Sequence, residues 1–244
     1  MARVIKIDNA LLKRFAKSSS SKKKSKELNA FFLIVCEGEK TEPNYFRSFP
    51  KQSGKIIFDI TFDGGGISTL KVVEKAIQLR DRSQQKYDRV WAVFDRDSFK
   101  ANSFNSAIQK AEANDIKCAW SNEAFELWYL LHFHNRITAM SRDEYKKAIE
   151  SAVSNSLQKG TKTKNKKNKT FEYKKNDKNM FSVLEKYGNQ EQAIQWATEL
   201  NDNLVGENFS KYNPATQVYL LVNELIGKSE ELNKEIIDKY EAGQ

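Results

Sequence analysis

The sequence has little cysteine, no long apolar run and no secretory leader, and each absence excludes a class of protein. Among 244 residues there are 2 cysteines, Cys36 and Cys118. Both end apolar, strand-like runs without metal-ligand spacing, so we expect buried, reduced thiols rather than a disulfide or a zinc site.

No run approaches the roughly 18 apolar residues of a membrane span. The N-terminal stretch lacks the apolar core and cleavage site of a secretion signal. We therefore expect a cytoplasmic protein without a membrane partner.

Positive charge is in excess. The chain has 41 Lys and Arg residues against 32 Asp and Glu residues, which gives a formal net charge of +9. This balance favours contact with a polyanion, and its sign alone does not distinguish nucleic acid from an acidic membrane surface. Two Lys-rich stretches, Ser18 to Lys26 and Gln158 to Lys178, are too polar to pack as core elements.

The apolar pattern alternates between short runs and helical spacing, which predicts an α/β fold with a mainly parallel sheet flanked by helices. Strands are expected at FFLIVC, KIIFDITF, RVWAVFD and IKCAWS, with helices between them, and the C-terminal third reads as helices. The predicted organisation is a basic arm, an α/β core, a Lys-rich loop and a helical C-terminal part, at residues 1–28, 29–157, 158–178 and 179–244.

Acidic residues directly follow two of the apolar strands. Glu37 comes after the first strand, and Asp95 and Asp97 end the third. Parallel strands bring their carboxyl ends to one edge of a sheet, where ligands bind, so these carboxylates should meet. Asp95 and Asp97 point the same way if strand geometry persists between them. An all-oxygen cluster suits Mg²⁺ or Mn²⁺; the alternative is that the three residues are polar caps at strand ends.

Other residues are candidates for the same edge. Lys40 lies where a helix begins and is a candidate phosphate ligand. In SNEAFELWYLLHFH, Glu126 is an acid inside an apolar helix and a candidate metal ligand or base, since burying it unpaired would be costly. Asn122 is a candidate phosphate or cap contact, and His132 a candidate site residue or a core histidine.

The second Lys-rich stretch combines charge with aromatic residues. Phe171 and Tyr173 stand beside Lys174 and Lys175, a mixture suited to base stacking and phosphate contact. A solvated loop is the alternative.

Four ordered motifs, LIVCEGEKTEPNYFRSF, AVFDRD, SNEAFELWYLLHF and NPATQVYLLVNEL, resemble the RloB family, whose core is similar to the TOPRIM domain of topoisomerases, primases and overcoming-lysogenization-defect nucleases. In TOPRIM domains a Glu after the first strand and an Asp-x-Asp after the third bind metal at phosphodiester bonds. The resemblance assigns these roles to Glu37, Asp95 and Asp97. It also implies bacterial defence against phage, an ABC-class ATPase encoded nearby as partner, and nucleic acid, including tRNA, as a target.

Three functions follow as hypotheses. The first is a Mg²⁺- or Mn²⁺-dependent nuclease of RNA or DNA, controlled by an ATPase, in which Glu126 supports the site or activates water. The second is a non-catalytic subunit that binds nucleic acid or regulates a partner. The third is an enzyme acting on another phosphate ester. The oligomeric state is left open.

Overall fold

The structure is a computed structural model that describes residues 27–65, 68–97, 101–159, 170–202 and 204–242. Six strands of these residues form one sheet in the order β2-β3-β1-β4-β5-β6. The four central strands are parallel, and the short edge strands β2 and β6 are antiparallel to their neighbours. The strands are β1 (Leu28–Cys36), β2 (Gln52–Ser53), β3 (Ile56–Gly64), β4 (Arg89–Asp95), β5 (Lys117–Asn122) and β6 (Ala215–Thr216).

Helices cover both faces of this sheet. They are α1 (Thr41–Arg47), α2 (Thr69–Arg82), α3 (Ala101–Glu112), α4 (Glu126–Leu131), α5 (Arg142–Lys159), α6 (Met180–Tyr187), α7 (Gln190–Asp202), α8 (Val218–Leu225) and α9 (Glu230–Ala242). In the described ranges, none of them is long and apolar enough to cross a membrane.

The central strand β1 is apolar on both sides because side chains alternate across a strand. Phe32 and Ile34 pack into a core with α1 and the helices from α4 onward. Leu33 and Val35 pack into a second core with α2 and α3. Burial on both faces explains why the sequence of β1 is continuously apolar rather than alternating.

The predicted α/β fold with a mainly parallel sheet, flanking helices and C-terminal helices is confirmed. One predicted helix is wrong in its first part. The sequence predicts a helix over NPATQVYLLVNELIG with Asn213 as its cap and Pro214 in its first turn, but residues 215–216 pair with β5 as β6 and the helix begins at Val218. The helix α5 was not predicted. Residues 1–26 of the predicted basic arm lie outside the described residues, and Leu28 already belongs to β1.

A buried ion pair joins the C-terminal helices to the amino end of β4. Glu224 of α8 accepts hydrogen bonds from Arg89 Nε at 2.9 Å and from Trp91 Nε1 at 2.8 Å, and its side chain is 3% exposed. Arg89 also contacts Glu231 and Glu235 of α9, whose side chains are largely in solvent. Burial raises the pKa of Glu224, and the hydrogen bond from Arg89 opposes that rise.

This network predicts unequal effects for two acidic partners of the same arginine. Glu224→Ala leaves Arg89 and the Trp91 N–H without their buried acceptor, and should lower the free energy of unfolding by about 3 kcal/mol or more. Glu231→Ala removes an exposed partner and should cost less than about 1 kcal/mol. Urea unfolding of both variants measures the difference. Equal losses would show that the buried pair is not what joins α8 to the sheet.

Candidate active site at the carboxyl edge of the sheet

The parallel pairing of β1 with β4 brings two acidic residues together. Cys36 lies opposite Val93 in the register, and the next backbone N–H, that of Glu37, donates to the Val93 carbonyl at 2.8 Å. The Glu37 carboxylate accepts a hydrogen bond from the Asp95 backbone N–H at 3.1 Å. The two side chains therefore meet at the carboxyl edge, as the strand pattern indicated.

Asp97 reaches the same place by a different backbone path from the one expected. Strand β4 ends at Asp95, and Asp97 has a φ of +45°, in the left-handed region. The condition that strand geometry persists through Arg96 is therefore not met, because the Asp97 N–H turns to donate to the Glu123 carbonyl at 3.1 Å. Asp97 still lines the same cleft as Glu37 and Asp95.

Glu126 enters the cleft from the first turn of α4. Its side chain is buried, and Oε1 accepts a hydrogen bond from the Tyr173 hydroxyl at 2.9 Å. Tyr173 packs edge-on against Tyr129, with ring centroids 6.4 Å apart, and is 5% exposed. The interpretation of Tyr173 as a base-stacking residue is therefore wrong, because its ring is in the core and its hydroxyl binds Glu126.

A further carboxylate, Glu42, lies in the first turn of α1. It is 6% exposed, and its Oε2 has no hydrogen-bond partner among the described residues. Gly38 makes room for it, because a Cβ at Gly38 would collide with that oxygen. An unpaired carboxylate oxygen in a buried position is costly, and here it belongs to the lining of the acidic cleft.

The cleft has a volume of about 690 Å³. Its lining combines several acidic side chains with a few basic ones: Glu37, Glu39, Glu42, Asp95, Asp97 and Glu126, with Lys40, Arg142 and Lys175. Among the described residues, no three His, Cys, Asp or Glu side chains form a ready-made metal site as they stand. The donors are nevertheless all carboxylate oxygens, which suit a hard divalent cation.

The carboxylates raise one another's pKa. Burial is the main cause for Glu37, whose pKa is raised to about 7, and the charges of Glu42 and Asp97 add to it. Burial also raises the pKa of Asp95 well above its usual range, with contributions from Glu42, Glu126 and Glu37. The pKa of Glu42 is likewise raised by burial and by Glu126, whereas Lys175 and Arg142 lower it. With six carboxylates against three cationic side chains in the lining, ionising all of these carboxylates at once is unfavourable.

Arg142, the first residue of α5, was missed by the sequence analysis. Its Nη1 donates to Asp97 Oδ2 at 3.0 Å, and its Nη2 lies 3.5 Å from Asp95 Oδ2. A signal was present in the sequence: Ser141 and Glu144 have the S-x-x-E spacing of a helix N-terminus. In the structure Glu144 reaches back to the Ser141 N–H at 2.7 Å.

Two predicted site residues lie elsewhere. Asn122 is buried at the end of β5 and donates to the carbonyls of Ser210 and Tyr212, at 3.2 and 2.7 Å; it is not in the cleft lining. His132 is buried against Trp128, whose carbonyl lies 2.9 Å from Nδ1, and burial lowers its pKa to about 4. Both polar groups bind backbone carbonyls within the core, which for His132 is the core alternative that the sequence left open.

The predicted lysines separate into two groups. Lys40 and Lys175 line the cleft, and Lys175 is kept there by its neighbour Asn176, which accepts a 2.9 Å hydrogen bond from Thr41 of α1. The Thr41 hydroxyl thus binds Asn176 and does not cap α1, which begins at Thr41 itself. Lys174 is 71% exposed, pairs with Glu172 at 3.9 Å and lies outside the lining. Residues 160–169 of the Lys-rich loop are outside the described residues.

The pKa of Glu37 generates a prediction about stability and pH in the presence of a chelator. The folded protein holds this proton to about pH 7, whereas the unfolded chain releases it near 4.5. Stability from this group is therefore fully present below pH 4.5 and is lost as pH rises to about 7. Glu37→Gln should show a smaller loss between pH 4.5 and 8 in urea unfolding.

Glu39→Gln is the matched control, because Glu39 is exposed two residues away, and it should follow the wild-type pH curve. A Glu37→Gln curve that also coincides with wild type would contradict a raised pKa at Glu37.

Comparison with known proteins gives the family. The family model described as RloB-like protein matches residues 32–225, a range that runs from β1 to the end of α8 and includes every carboxylate of the cleft. Comparisons with curated proteins and with solved structures found no match. The match covers well over half of the chain, and the family model agrees with the sequence motifs. The chain belongs to the RloB family.

Proposed function

We propose that the chain is a Mg²⁺- or Mn²⁺-dependent nuclease that hydrolyses phosphodiester bonds in RNA, with tRNA as one possible target, or in DNA. The observation that carries the proposal is the group of buried and half-buried carboxylates at the carboxyl edge of the sheet. Glu42, Asp95 and Glu126 are buried and come from three separate elements, and they line one cleft with the half-buried Glu37, which directly follows β1. Mutual repulsion in a buried site is unfavourable without a cation, so the arrangement supports a cation-dependent activity.

Membership of the RloB family links the chain to defence. Within that setting we propose that it is the toxic effector of a bacterial anti-phage system and that an ABC-class ATPase, encoded nearby, controls it. The TOPRIM-like character of the core and the partner both come from the family resemblance. The central parallel strands, with acidic residues at their carboxyl ends, support the first of these.

The residues present suit the proposed ion. Glu42 Oε2 is a buried acceptor without a partner among the described residues, and the neighbouring donors are oxygens, as Mg²⁺ and Mn²⁺ require. Glu37, Asp95 and Asp97 would hold the ion, with Glu42 as an additional oxygen donor. When bound, such an ion supplies an activated water and neutralises the leaving oxygen.

The chain's own residues would perform the remaining tasks. Glu126 is oriented by the Tyr173 hydroxyl and lies close enough to Asp95 and Glu42 to influence their charge, so it would accept a proton from water or hold the ligands in position. Lys40 and Lys175 line the rim of the cleft and would bind backbone phosphates. Exclusion of water by the buried Phe125 would strengthen each charge interaction.

Asp95→Asn tests the catalytic part of the proposal. The substitution removes one buried negative charge with almost no change in shape, so cation-dependent cleavage of RNA or DNA should fall by about 100-fold or more. The fold should persist, because a neutral side chain suits a position where burial raises the pKa. Cleavage is measured with Mg²⁺ and Mn²⁺, with and without the ATPase.

Asp59→Asn is the control, because Asp59 is exposed in the middle of β3 and should retain full cleavage. Cleavage by Asp95→Asn at the wild-type rate would remove the metal-site assignment.

A second candidate function is a non-catalytic subunit that binds nucleic acid or regulates its partner. One observation favours it: the Arg142 guanidinium bridges Asp95 and Asp97, so an internal cation already neutralises part of the cleft. This candidate predicts salt-dependent binding of nucleic acid and no turnover with any divalent ion, with or without the ATPase.

Adjacent lysines provide a test of nucleic-acid contact. Lys175 lines the cleft and Lys174 points outside it. If Lys175 binds a backbone phosphate, Lys175→Gln should weaken oligonucleotide binding and reduce the log-log salt slope by about one unit, while Lys174→Gln should leave both unchanged. Fluorescence anisotropy over a salt series measures the slope. Identical slopes for the two variants would exclude a long polyanion from this side of the cleft.

A further inference from the structure

Arg142 is held at the cleft by a helix that packs into the core. Tyr145, Ile149 and Val153 of α5 are fully buried at the spacing of one helix face, so the first residue of the helix has a fixed position. The Arg142 side chain is 36% exposed and extends toward Asp95 and Asp97. Its guanidinium is thus presented to the acidic cleft by packing, not by the two aspartates alone.

The bonds of Arg142 are incomplete for a purely structural arginine. One guanidinium bond is short, to Asp97 at 3.0 Å, and the contact with Asp95 is longer, at 3.5 Å. The Nε atom is buried without a partner among the described residues. Arg89 also has one guanidinium nitrogen, Nη2, without a hydrogen-bond partner among the described residues, but it makes two close carboxylate bonds, at 2.9 Å to Glu224 and 2.5 Å to Glu235. Because Arg142 makes only one close carboxylate bond and its side chain is 36% exposed, its guanidinium retains N–H donors for another ligand.

We propose that Arg142 is a further catalytic residue. Once a divalent ion has taken the place of its guanidinium at Asp95 and Asp97, Arg142 binds the phosphate of the substrate. This inference rests on the proposed nuclease function. Before the ion binds, the guanidinium partly neutralises the two carboxylates. After the ion binds, the planar guanidinium matches two phosphate oxygens, and the helix keeps it beside the cleft where the lysines Lys40 and Lys175 also lie.

The variant Arg142→Gln distinguishes a phosphate-binding arginine from a purely structural one. The quantity measured is the affinity of the protein for Mn²⁺, by calorimetry without nucleic acid. Removing a competing cation from the aspartates should tighten Mn²⁺ binding by about tenfold, the scale of one charge-assisted hydrogen bond. A structural arginine predicts the opposite, weaker Mn²⁺ binding and a lower unfolding temperature. Lys146→Gln is the control, because Lys146 lies on the same helix with its side chain 56% exposed, and it should bind Mn²⁺ like wild type.

The second measurement is cleavage at saturating Mn²⁺. Arg142→Gln should be slower than wild type by about 100-fold or more in spite of its tighter ion binding, and Arg142→Lys should recover only part of the rate because it lacks the planar pair of donors. Tighter Mn²⁺ binding with wild-type or faster cleavage would overturn the inference, since the arginine would then only obstruct the ion. Weaker Mn²⁺ binding would overturn it as well.

Failure of the nuclease proposal has a different signature. In that case wild type itself cleaves no RNA or DNA with Mn²⁺, with or without the ATPase. The inference is then decided by the anisotropy of a labelled single-stranded oligonucleotide in Ca²⁺. Arg142→Gln should bind it more weakly than wild type and Lys146→Gln equally well. Equal binding by Arg142→Gln, or no binding by wild type, would overturn the assignment of Arg142 to phosphate.

Discussion

The parallel register of β1 against β4 is the constraint on which the cleft depends. Their pairing ends with Cys36 opposite Val93, and one residue further on the Glu37 carboxylate binds the Asp95 N–H. A shift of one residue would turn the apolar side chains of β1 to the wrong faces of the sheet. Since Leu33 and Val35 pack in one core and their neighbours in the other, the fit of particular side chains into each core favours this register and thereby brings the two acids together.

Electrostatics sets the second constraint. The packing that fixes the strands also removes water from Asp95 and Glu42, so their pKa values rise. A cluster of ionised carboxylates is unfavourable for folding unless a cation offsets their repulsion. Arg142 supplies one positive charge from a helix remote in the chain. Arg142 and the proposed divalent ion would compete for the same two aspartates, so binding of the ion would free the guanidinium.

The fold and the meeting of Glu37 with Asp95 were both predictable from local patterns in the sequence. Apolar strands followed at once by acids indicated where Glu37 and Asp95 would meet, because strand ends and sheet edges are local features. Arg142 lies 45 residues after its partner Asp97, and no local pattern joins the two. For His132 and Asn122 the sequence left two interpretations open, because a buried polar residue gives the same sequence signal whether its partner is a ligand or a carbonyl. For all three residues, the partner of the side chain is known only from the tertiary structure.

The most direct test of the account is the position of a bound ion. Crystals of the protein soaked in Mn²⁺ and measured for anomalous scattering would locate it without reference to activity. The account predicts one strong peak among the carboxylates of Glu37, Asp95 and Asp97, with the Arg142 guanidinium moved away from the two aspartates. A fully loaded crystal in which Arg142 still bridges Asp95 and Asp97, and in which Mn²⁺ lies elsewhere on the surface, would contradict it.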